Sequence, residues 1–129
     1  MLPEQSRVSV VDDDPSFRDS MRRLLKSMNY SVAVFPSAAE FLASPNLAET
    51  SCLIADVHMP AMTGVELFEH LIENGQTIPT ILITAYPDTG VQDRMLKLGV
   101  YCYLRKPLVE AALIECLRSA VANRKASQG

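Results

Sequence analysis

Residues 52–64, with the sequence C-L-I-A-D-V-H-M-P-A-M-T-G, decide the fold of this chain. A run of four apolar residues ends at the carboxylate of Asp56, breaks at Pro60 and restarts as a helix after Gly64. A short apolar run bounded by turn residues predicts a buried parallel strand with both faces covered. An aspartate at the end of such a strand lies at the carboxyl edge of the sheet, where open α/β sheets bind their ligands.

Four more strands are predicted around this one, because short runs of β-branched and other apolar residues occur at 7–11, 31–35, 79–84 and 100–104. Between the strands and after the last one, apolar residues recur three and four positions apart, which predicts five amphipathic helices. Strands and helices that alternate at this spacing indicate βαβ units. We therefore expect a single α/β domain over residues 1–129, a (βα)5 flavodoxin-like doubly wound sheet of five parallel strands in the order 2-1-3-4-5.

The predicted helices carry recognisable caps and apolar faces. Caps are predicted at Asp14 (before Pro15), in the capping boxes Ser37–Glu40 and Thr63–Glu66, and at Gly99. The expected core-facing residues are Phe17, Met21, Leu24, Leu25, Met28, Val65, Phe68, Leu71, Ile72, Val91, Met95, Leu98, Leu113, Leu117, Ala120 and Val121. Residues 44–51 are expected to form a polar loop, and residues 125–129 a flexible tail that would begin a linker to an output domain.

Composition argues against several classes of protein. With 48% apolar and 21% charged residues, the chain is globular rather than disordered. A net charge of −3 and the lack of a long basic run argue against direct binding of nucleic acid by this segment. No apolar run approaches the about 18 residues that a membrane span needs. The three cysteines lie in apolar stretches and the two histidines are isolated, so we expect buried free thiols in a reducing cytoplasm and no zinc site.

Polar residues follow four of the predicted strands at one edge of the sheet. Asp12 and Asp13 leave the first strand beside Asp56, while Thr84 and Lys106 belong to the fourth and fifth strand ends. Three crowded carboxylates raise one another's pKa unless a cation lies among them, and oxygen ligands with retained waters suit Mg²⁺. Such an ion needs further anionic oxygens, and a phosphoryl group supplies them. The lysine and the threonine would contact oxygens of that phosphoryl group. Because no serine or cysteine lies at these strand ends, a carboxylate is the expected nucleophile, with Asp56 the central candidate.

Four motifs in this order resemble the receiver domains of two-component response regulators. They are V-V-D-D-D-P-S-F-R at 10–18, L-I-A-D-V-H-M-P-x-M-x-G at 53–64, I-L-I-T-A at 81–85 and K-P at 106–107. The resemblance covers the chain from about Arg7 to Arg124. The second motif and the R-D-S-M-R-R-L-L helix look most like the FixJ/NarL-type transcriptional regulators, and members of the FixJ branch usually carry a DNA-binding helix-turn-helix after the receiver.

The resemblance implies a phosphorylation site with a metal cofactor. Asp56 would accept the phosphoryl group from a histidine-kinase phosphohistidine. Mg²⁺ would be bound directly by Asp13 and through water by Asp12. Asp56 and the backbone carbonyl of His58 would complete the metal site.

The resemblance also implies a switch. Lys106 would contact the phosphoryl group, the Thr84 hydroxyl would be drawn towards it, and Tyr103 would turn inward behind that hydroxyl. The face formed by the fourth helix, the fifth strand and the fifth helix would then change and support homodimerisation. His58 and Tyr86 are candidates for tuning the lifetime of the phosphoryl group.

Several positions bear on how that switch would work. Lys106 is expected to precede a cis peptide bond to Pro107. Pro87 stiffens the loop that must move, and Cys102 and Val100 stand where the family commonly has an acidic residue and an alanine. These departures concern the signalling surface and leave the acidic cluster intact.

Other classes of function fit less well. A Mg²⁺-dependent aspartyl-phosphate phosphatase of the haloacid-dehalogenase type would need a second carboxylate two residues after the first, where this chain has His58. A flavodoxin-type cofactor carrier would need a phosphate loop after the first strand, where three aspartates would repel phosphate. A phospho-acceptor switch, not an enzyme, is therefore favoured. Its output stays open: either a stand-alone regulator that acts by protein contact, or the front end of a longer transcription factor, which the FixJ-like motifs favour.

Overall fold

The structure, a computed structural model, describes residues 6–128 of the chain and the side chains as far as Arg124. It contains five strands, β1 (Arg7–Val11), β2 (Ser31–Phe35), β3 (Cys52–Asp56), β4 (Thr80–Thr84) and β5 (Cys102–Arg105). They form one parallel sheet in the order β2-β1-β3-β4-β5. The predicted fold class and strand order are confirmed.

Two layers of helices cover the sheet. The described helices are α1 (Pro15–Ser27), α2 (Ala38–Leu42), α3 (Gly64–Glu73), α4 (Thr89–Leu98) and α5 (Glu110–Gln128). Helices α2, α3 and α4 pack on one face, and α1 and α5 pack on the other. None of the described helices is long and apolar enough to cross a membrane.

The central strands are buried on both faces. In β3, Leu53 and Ala55 pack towards α3 and α4, while Cys52 and Ile54 pack towards α1 and α5. All five residues of β3 and all five of β4 are buried. This arrangement explains the near-continuous apolar runs in the sequence, and it gives rigid support to the polar residues at the strand ends.

The prediction that a residue faces the core is wrong at two positions. Ile72 of α3 and Leu98 of α4 are 42% and 41% exposed. The buried residues of α3 are Gly64, Leu67, Phe68 and Leu71. The apolar stripe of α3 therefore begins at the first helical residue and passes through Leu67, so the helical period was predicted correctly and its phase was not.

Element boundaries also differ from the sequence prediction. The stretch 44–51, predicted as a polar loop, contains a 3₁₀ turn at Leu47–Glu49. Strand β4 begins after Pro79, which has no N–H to donate to a neighbouring strand, and β5 begins at Cys102 instead of residue 100. The tail predicted over 125–129 is helical as far as Gln128, and residue 129 lies outside the described residues.

Helix capping follows the predictions closely. The caps formed as predicted are Asp14, the Thr63–Glu66 box and Gly99, which has a φ of 119°. At α2 the Ser37 hydroxyl accepts the Glu40 N–H, but the return bond from Ser37 N–H to the Glu40 carboxylate is not formed among the described residues. That box is therefore half formed.

The cysteines are free thiols, and only one is fully buried. Cys52 is buried, whereas Cys102 and Cys116 are half-buried, so the expected burial is correct for Cys52 alone. Burial, followed by the adjacent Cys116 thiol, raises the pKa of Cys102 to about 12. Burial also raises the pKa of Cys52. These two thiols are therefore protonated and weakly nucleophilic at neutral pH.

Candidate functional site

The sheet brings three carboxylates together at its carboxyl edge. Val11 pairs with Ala55 in the β1–β3 register, so Asp12 lies beside Asp56 just past the last paired residues. One carboxylate oxygen from each of Asp12, Asp13 and Asp56 lies within 4.8 Å of the others. Asp12 is fully buried and Asp56 is 7% exposed, while Asp13 is exposed. The cluster is thus buried on the strand side and open to solvent on the side of Asp13.

Every polar group of Asp12 makes a hydrogen bond. Its N–H donates to the Phe35 carbonyl (3.1 Å), and its own carbonyl accepts from the Arg18 guanidinium (2.7 Å). Its Oδ1 accepts from the Asp14 N–H (2.9 Å) and its Oδ2 from the Lys106 ammonium (2.9 Å). A buried carboxylate with this many partners has one fixed orientation.

Lys106 supplies the positive charge nearest these carboxylates. Its Nζ lies 2.9 Å from Asp12 Oδ2 and 3.4 Å from Asp56 Oδ2. It also lies 4.3 Å from the centroid of the Phe17 ring, a cation–π contact that covers the ammonium on another side. The Lys106–Pro107 peptide bond is cis, as predicted.

The pKa values reflect this crowding. Burial is the main cause that raises the pKa of Asp12, and the Asp56 charge raises it further, while Lys106 and the Asp14 N–H act in the opposite direction. Burial acts to lower the pKa of Lys106, but its bonds and charge interactions with Asp12 and Asp56 outweigh burial, so that the net pKa is raised. The acidic cluster therefore favours a cation.

The donor set suits a hard divalent cation. Three carboxylates offer oxygen ligands only, and the exposed side of the cluster leaves room for water ligands, which Mg²⁺ retains. The His58 N–H donates to Asp56 Oδ1 (3.1 Å), which orients the Asp56 carboxylate and fixes the loop that follows it. The role predicted for the His58 carbonyl as a further ligand stays a prediction.

Thr84 lies at the same edge, but its side chain makes its hydrogen bond within the loop after β4. It is fully buried, and its Oγ1 accepts the N–H of Tyr86 (3.0 Å). Its carbonyl accepts the Lys106 N–H (2.7 Å), so Thr84 joins the ends of β4 and β5. Tyr103, the other predicted switch residue, is half-buried and packs against the hydrophobic core on the face of the sheet that α3 and α4 cover.

The two residues predicted to tune the phosphoryl lifetime contact each other. The rings of His58 and Tyr86 are arranged edge to face, with centroids 5.3 Å apart and an interplanar angle of 83°. Tyr86 is 73% exposed. Together they form an aromatic pair that joins the loops after β3 and β4, on the solvent side of these strand ends.

Sequence reasoning assigned no part in the site to Phe17, Arg18 or Gly64. Phe17 and Arg18 contact Lys106 and Asp12 from the first turns of α1, where side chains point back towards the helix N-terminus. Their position one turn after the aspartates was the available signal. A Cβ on Gly64 would lie 2.3 Å from the Asp56 carbonyl oxygen, so this glycine permits a close approach that no local pattern revealed.

Comparisons with known proteins agree with this arrangement. A family profile described as "Response regulator receiver domain" matches residues 8–118. "Transcriptional regulatory protein FixJ" of Azorhizobium caulinodans is 35% identical over 128 residues, which cover 99% of this chain and 60% of that protein. The structure of the response regulator StyR has a TM-score of 0.89 at 35% identity, over 97% of this chain and 63% of that one. The crystal structure of FixJ-N has a TM-score of 0.82 at 30% identity, over 93% of this chain and 96% of that one.

The chain spans little more than half the length of the curated relatives it matches. The shared part is the receiver domain, whose sheet and helices are matched by the solved structures. The activity of any longer protein is therefore a separate question from the identity of this domain.

Proposed function

The chain belongs to the family of response regulator receiver domains, and we propose that it accepts a phosphoryl group on Asp56 from a phosphohistidine of a histidine kinase. One observation carries the proposal. Asp56 is a buried carboxylate at the end of a central strand, with two more carboxylates and a lysine ammonium beside it. This combination of nucleophile, candidate metal ligands and phosphate-binding cation is what transfer to an aspartate requires.

In the proposed reaction an oxygen of Asp56 attacks the phosphorus atom. A P–O bond forms, the P–N bond to the imidazole breaks, and its electron pair stays on the imidazole nitrogen. Lys106 is close enough to Asp56 to neutralise a phosphoryl oxygen, and the His58 N–H holds the carboxylate in place during the attack. Asp12, Asp13, Asp56 and the His58 carbonyl would hold Mg²⁺, which when bound neutralises charge on the phosphoryl oxygens.

The signal would pass through Thr84. Its hydroxyl donates to a phosphoryl oxygen in the phosphorylated state, and the movement of the side chain towards that oxygen draws Oγ1 away from the Tyr86 N–H, from which it now accepts a hydrogen bond. Loss of that bond frees the loop towards α4, and Tyr103 moves inward behind Thr84. The domain is in this proposal a switch that is biased by phosphorylation, not an enzyme with a separate substrate.

The output surface in this proposal is the face formed by α4, β5 and α5. One exposed apolar side chain supports it: Val109 before α5 is 67% exposed and lines a surface hollow with Leu104 of β5 and Ala112 of α5. We infer that phosphorylation favours a homodimer through this face. Sedimentation velocity of the phosphorylated protein tests this, and an unchanged sedimentation coefficient argues against it.

The relatives named as transcriptional regulators suggest the biological setting. In this proposal the domain controls transcription through an output domain in a longer chain and works in the cytoplasm, where reducing conditions keep its cysteines as thiols. The stand-alone regulator that acts by protein contact is the alternative, and both use the same phosphorylation site.

The proposal is tested by intact-mass spectrometry after incubation with acetyl phosphate and MgCl₂. Wild type is expected to gain the mass of one phosphoryl group, and the gain should disappear with EDTA and in Asp56→Asn. Asp14→Asn is the matched control. The Asp14 carboxylate is occupied in capping α1, and asparagine is an equally good N-cap, so this variant should be phosphorylated like wild type.

Two outcomes would contradict the proposal. Phosphoryl mass on Asp56→Asn would mean that another residue is the acceptor. Failure of wild type with both acetyl phosphate and a panel of phosphorylated histidine kinases would mean that the acidic cluster is not used for phosphoryl transfer.

A further inference from the structure

Asp13 is the carboxylate of the acidic cluster with the fewest restraints. It is exposed, and its side chain makes no hydrogen bond or ion pair among the described residues. The region that its carboxylate can reach is therefore set by the backbone on either side of its Cα and by its own rotamers. A restraint on that backbone limits where this ligand can lie.

The two peptide units that flank Asp13 are each held by one bond. The unit after it donates its N–H, that of Asp14, to Asp12 Oδ1 (2.9 Å). The unit before it accepts through the Asp12 carbonyl from the Arg18 guanidinium (2.7 Å). Among the described residues, the bond from Arg18 is the one hydrogen bond on that preceding unit, because the Asp13 N–H has no partner.

We propose that Arg18 is a positioning residue for the metal site, which orients Asp13 by holding the Asp12 carbonyl from the first turns of α1. The inference rests on the proposed Mg²⁺ site. A guanidinium bonded to a carbonyl in a partly buried setting makes a short, charge-assisted hydrogen bond, so the restraint on the peptide unit is a strong one.

The positive charge of Arg18 and its proposed positioning role affect the Mg²⁺ affinity in opposite directions. As a cation bonded to the backbone carbonyl of Asp12, Arg18 would repel Mg²⁺, and its loss would tighten metal binding. As a positioning residue it keeps Asp13 in place, and its loss would weaken metal binding. The two effects have opposite signs.

The experiment is an NMR titration with MgCl₂, in which the backbone amides of Asp13 and Asp56 report binding. Arg18→Met removes the charge and the donor and keeps an unbranched side chain, and we expect its Mg²⁺ affinity to fall about threefold to tenfold. Arg18→Lys keeps a charged donor and should recover most of that affinity. Arg22→Met is the matched control, because Arg18 and Arg22 line one surface hollow beside α1 and Arg22 makes no side-chain hydrogen bond or ion pair among the described residues. This variant should bind Mg²⁺ as well as wild type or slightly more tightly.

Each outcome decides the question. Weaker binding by Arg18→Met, with wild-type secondary structure by circular dichroism and restoration by Arg18→Lys, supports the inference. Equal or tighter binding by Arg18→Met overturns it and leaves the proposed metal site intact. No Mg²⁺ binding by wild type overturns both, so the two failures can be told apart. If Arg18→Met does not fold, Arg18→Ala replaces it, because alanine also removes the donor and is a strong helix former, and its outcomes are read in the same way.

Discussion

The two edges of the sheet differ in charge and in polarity. At the carboxyl edge, which we call the acidic edge and define by Asp12, Asp13, Asp56, Thr84 and Lys106, three carboxylates face one ammonium. At the opposite edge, where β4 and β5 begin, a cavity of about 320 Å³ has a mainly apolar lining that includes Phe68, Ile72, Ile78, Pro79 and Tyr101. The charged group there, Arg124, donates to the carbonyls of Thr77 (3.2 Å) and Ala48 (3.0 Å).

The two edges differ in how their groups affect the stability of the fold. The opposite edge pairs a cation with neutral carbonyl groups and buries apolar surface, so every contact there favours the folded state. The acidic edge crowds three carboxylates together beside one ammonium, which disfavours the folded state in the absence of a further cation. Binding sites are often built at the expense of local stability. Removal of a carboxylate at the acidic edge should therefore stabilise the folded state, whereas truncation of an apolar side chain at the opposite edge should destabilise it.

The largest effect is expected at the opposite edge. Phe68 is 4% exposed, lines the cavity and packs in the α3 and α4 core. Phe68→Ala should lower the free energy of unfolding by about 3–5 kcal/mol, because it removes a large apolar side chain beside an existing void. Urea unfolding followed by circular dichroism measures this.

Ile72→Ala is the control for that substitution. Ile72 lines the same cavity and is 42% exposed, so its truncation should cost less than about 1 kcal/mol. In both variants the Mg²⁺ affinity of the folded protein should be unchanged. A parallel loss of metal affinity in Phe68→Ala would mean that the two edges are not independent.

A smaller effect, dependent on pH, is expected at the acidic edge. Lys106→Met leaves the carboxylates without their ammonium and should lower the free energy of unfolding by about 1–2 kcal/mol at pH 7, a value discounted for the partial exposure of Lys106. The pKa of Asp12 is raised, so the folded state holds its proton more tightly than the unfolded state, and acidification neutralises the carboxylate that the variant leaves unpaired. The difference in the free energy of unfolding between wild type and Lys106→Met should therefore shrink as the pH falls from 7 towards 4.

The alkaline side gives the complementary check. The pKa of Lys106 is raised in the folded state, so its ion pair contributes fully below the unfolded pKa of lysine, about 10.4, and is lost as the pH rises through the higher folded value. The difference between wild type and Lys106→Met should close there as well. A deficit that stays constant across pH would show that lost packing on Phe17, and not charge, is responsible.

Particular residues show how much of this could be read from the sequence. The fold could be predicted because its signals are local: apolar runs that end in polar residues, helical spacing, and caps such as Asp14 and Thr63. The acidic cluster could also be predicted, because strand order alone places Asp12 beside Asp56. These are consequences of periodicity and topology, which a single sequence carries.

The remaining features depend on distances between elements. Gly64 matters because the Asp56 carbonyl passes 2.3 Å from where its Cβ would be, and Arg18 matters because its side chain reaches back over one turn to a carbonyl. The exposure of Ile72 depends on the rotation of α3 about its own axis, which is set by packing against the sheet and not by helical period. The contact of His58 with Tyr86 joins two loops whose conformations no local motif specifies.

The smallest expected effect is the most direct test of the contrast between the edges. Asp13 is exposed and stabilises nothing by hydrogen bonding among the described residues, yet it lies within 4.8 Å of two other carboxylates. Asp13→Asn should therefore raise the free energy of unfolding in EDTA by about 0.5–1 kcal/mol, because it relieves like-charge repulsion in a partly solvated setting. With MgCl₂ the order should reverse, since wild type gains binding free energy that the variant has lost. Asp93→Asn, which removes an exposed aspartate of α4, should change neither value. If Asp13→Asn is instead less stable than wild type in EDTA, the acidic edge is not strained by its own charge, and the two edges differ in composition alone.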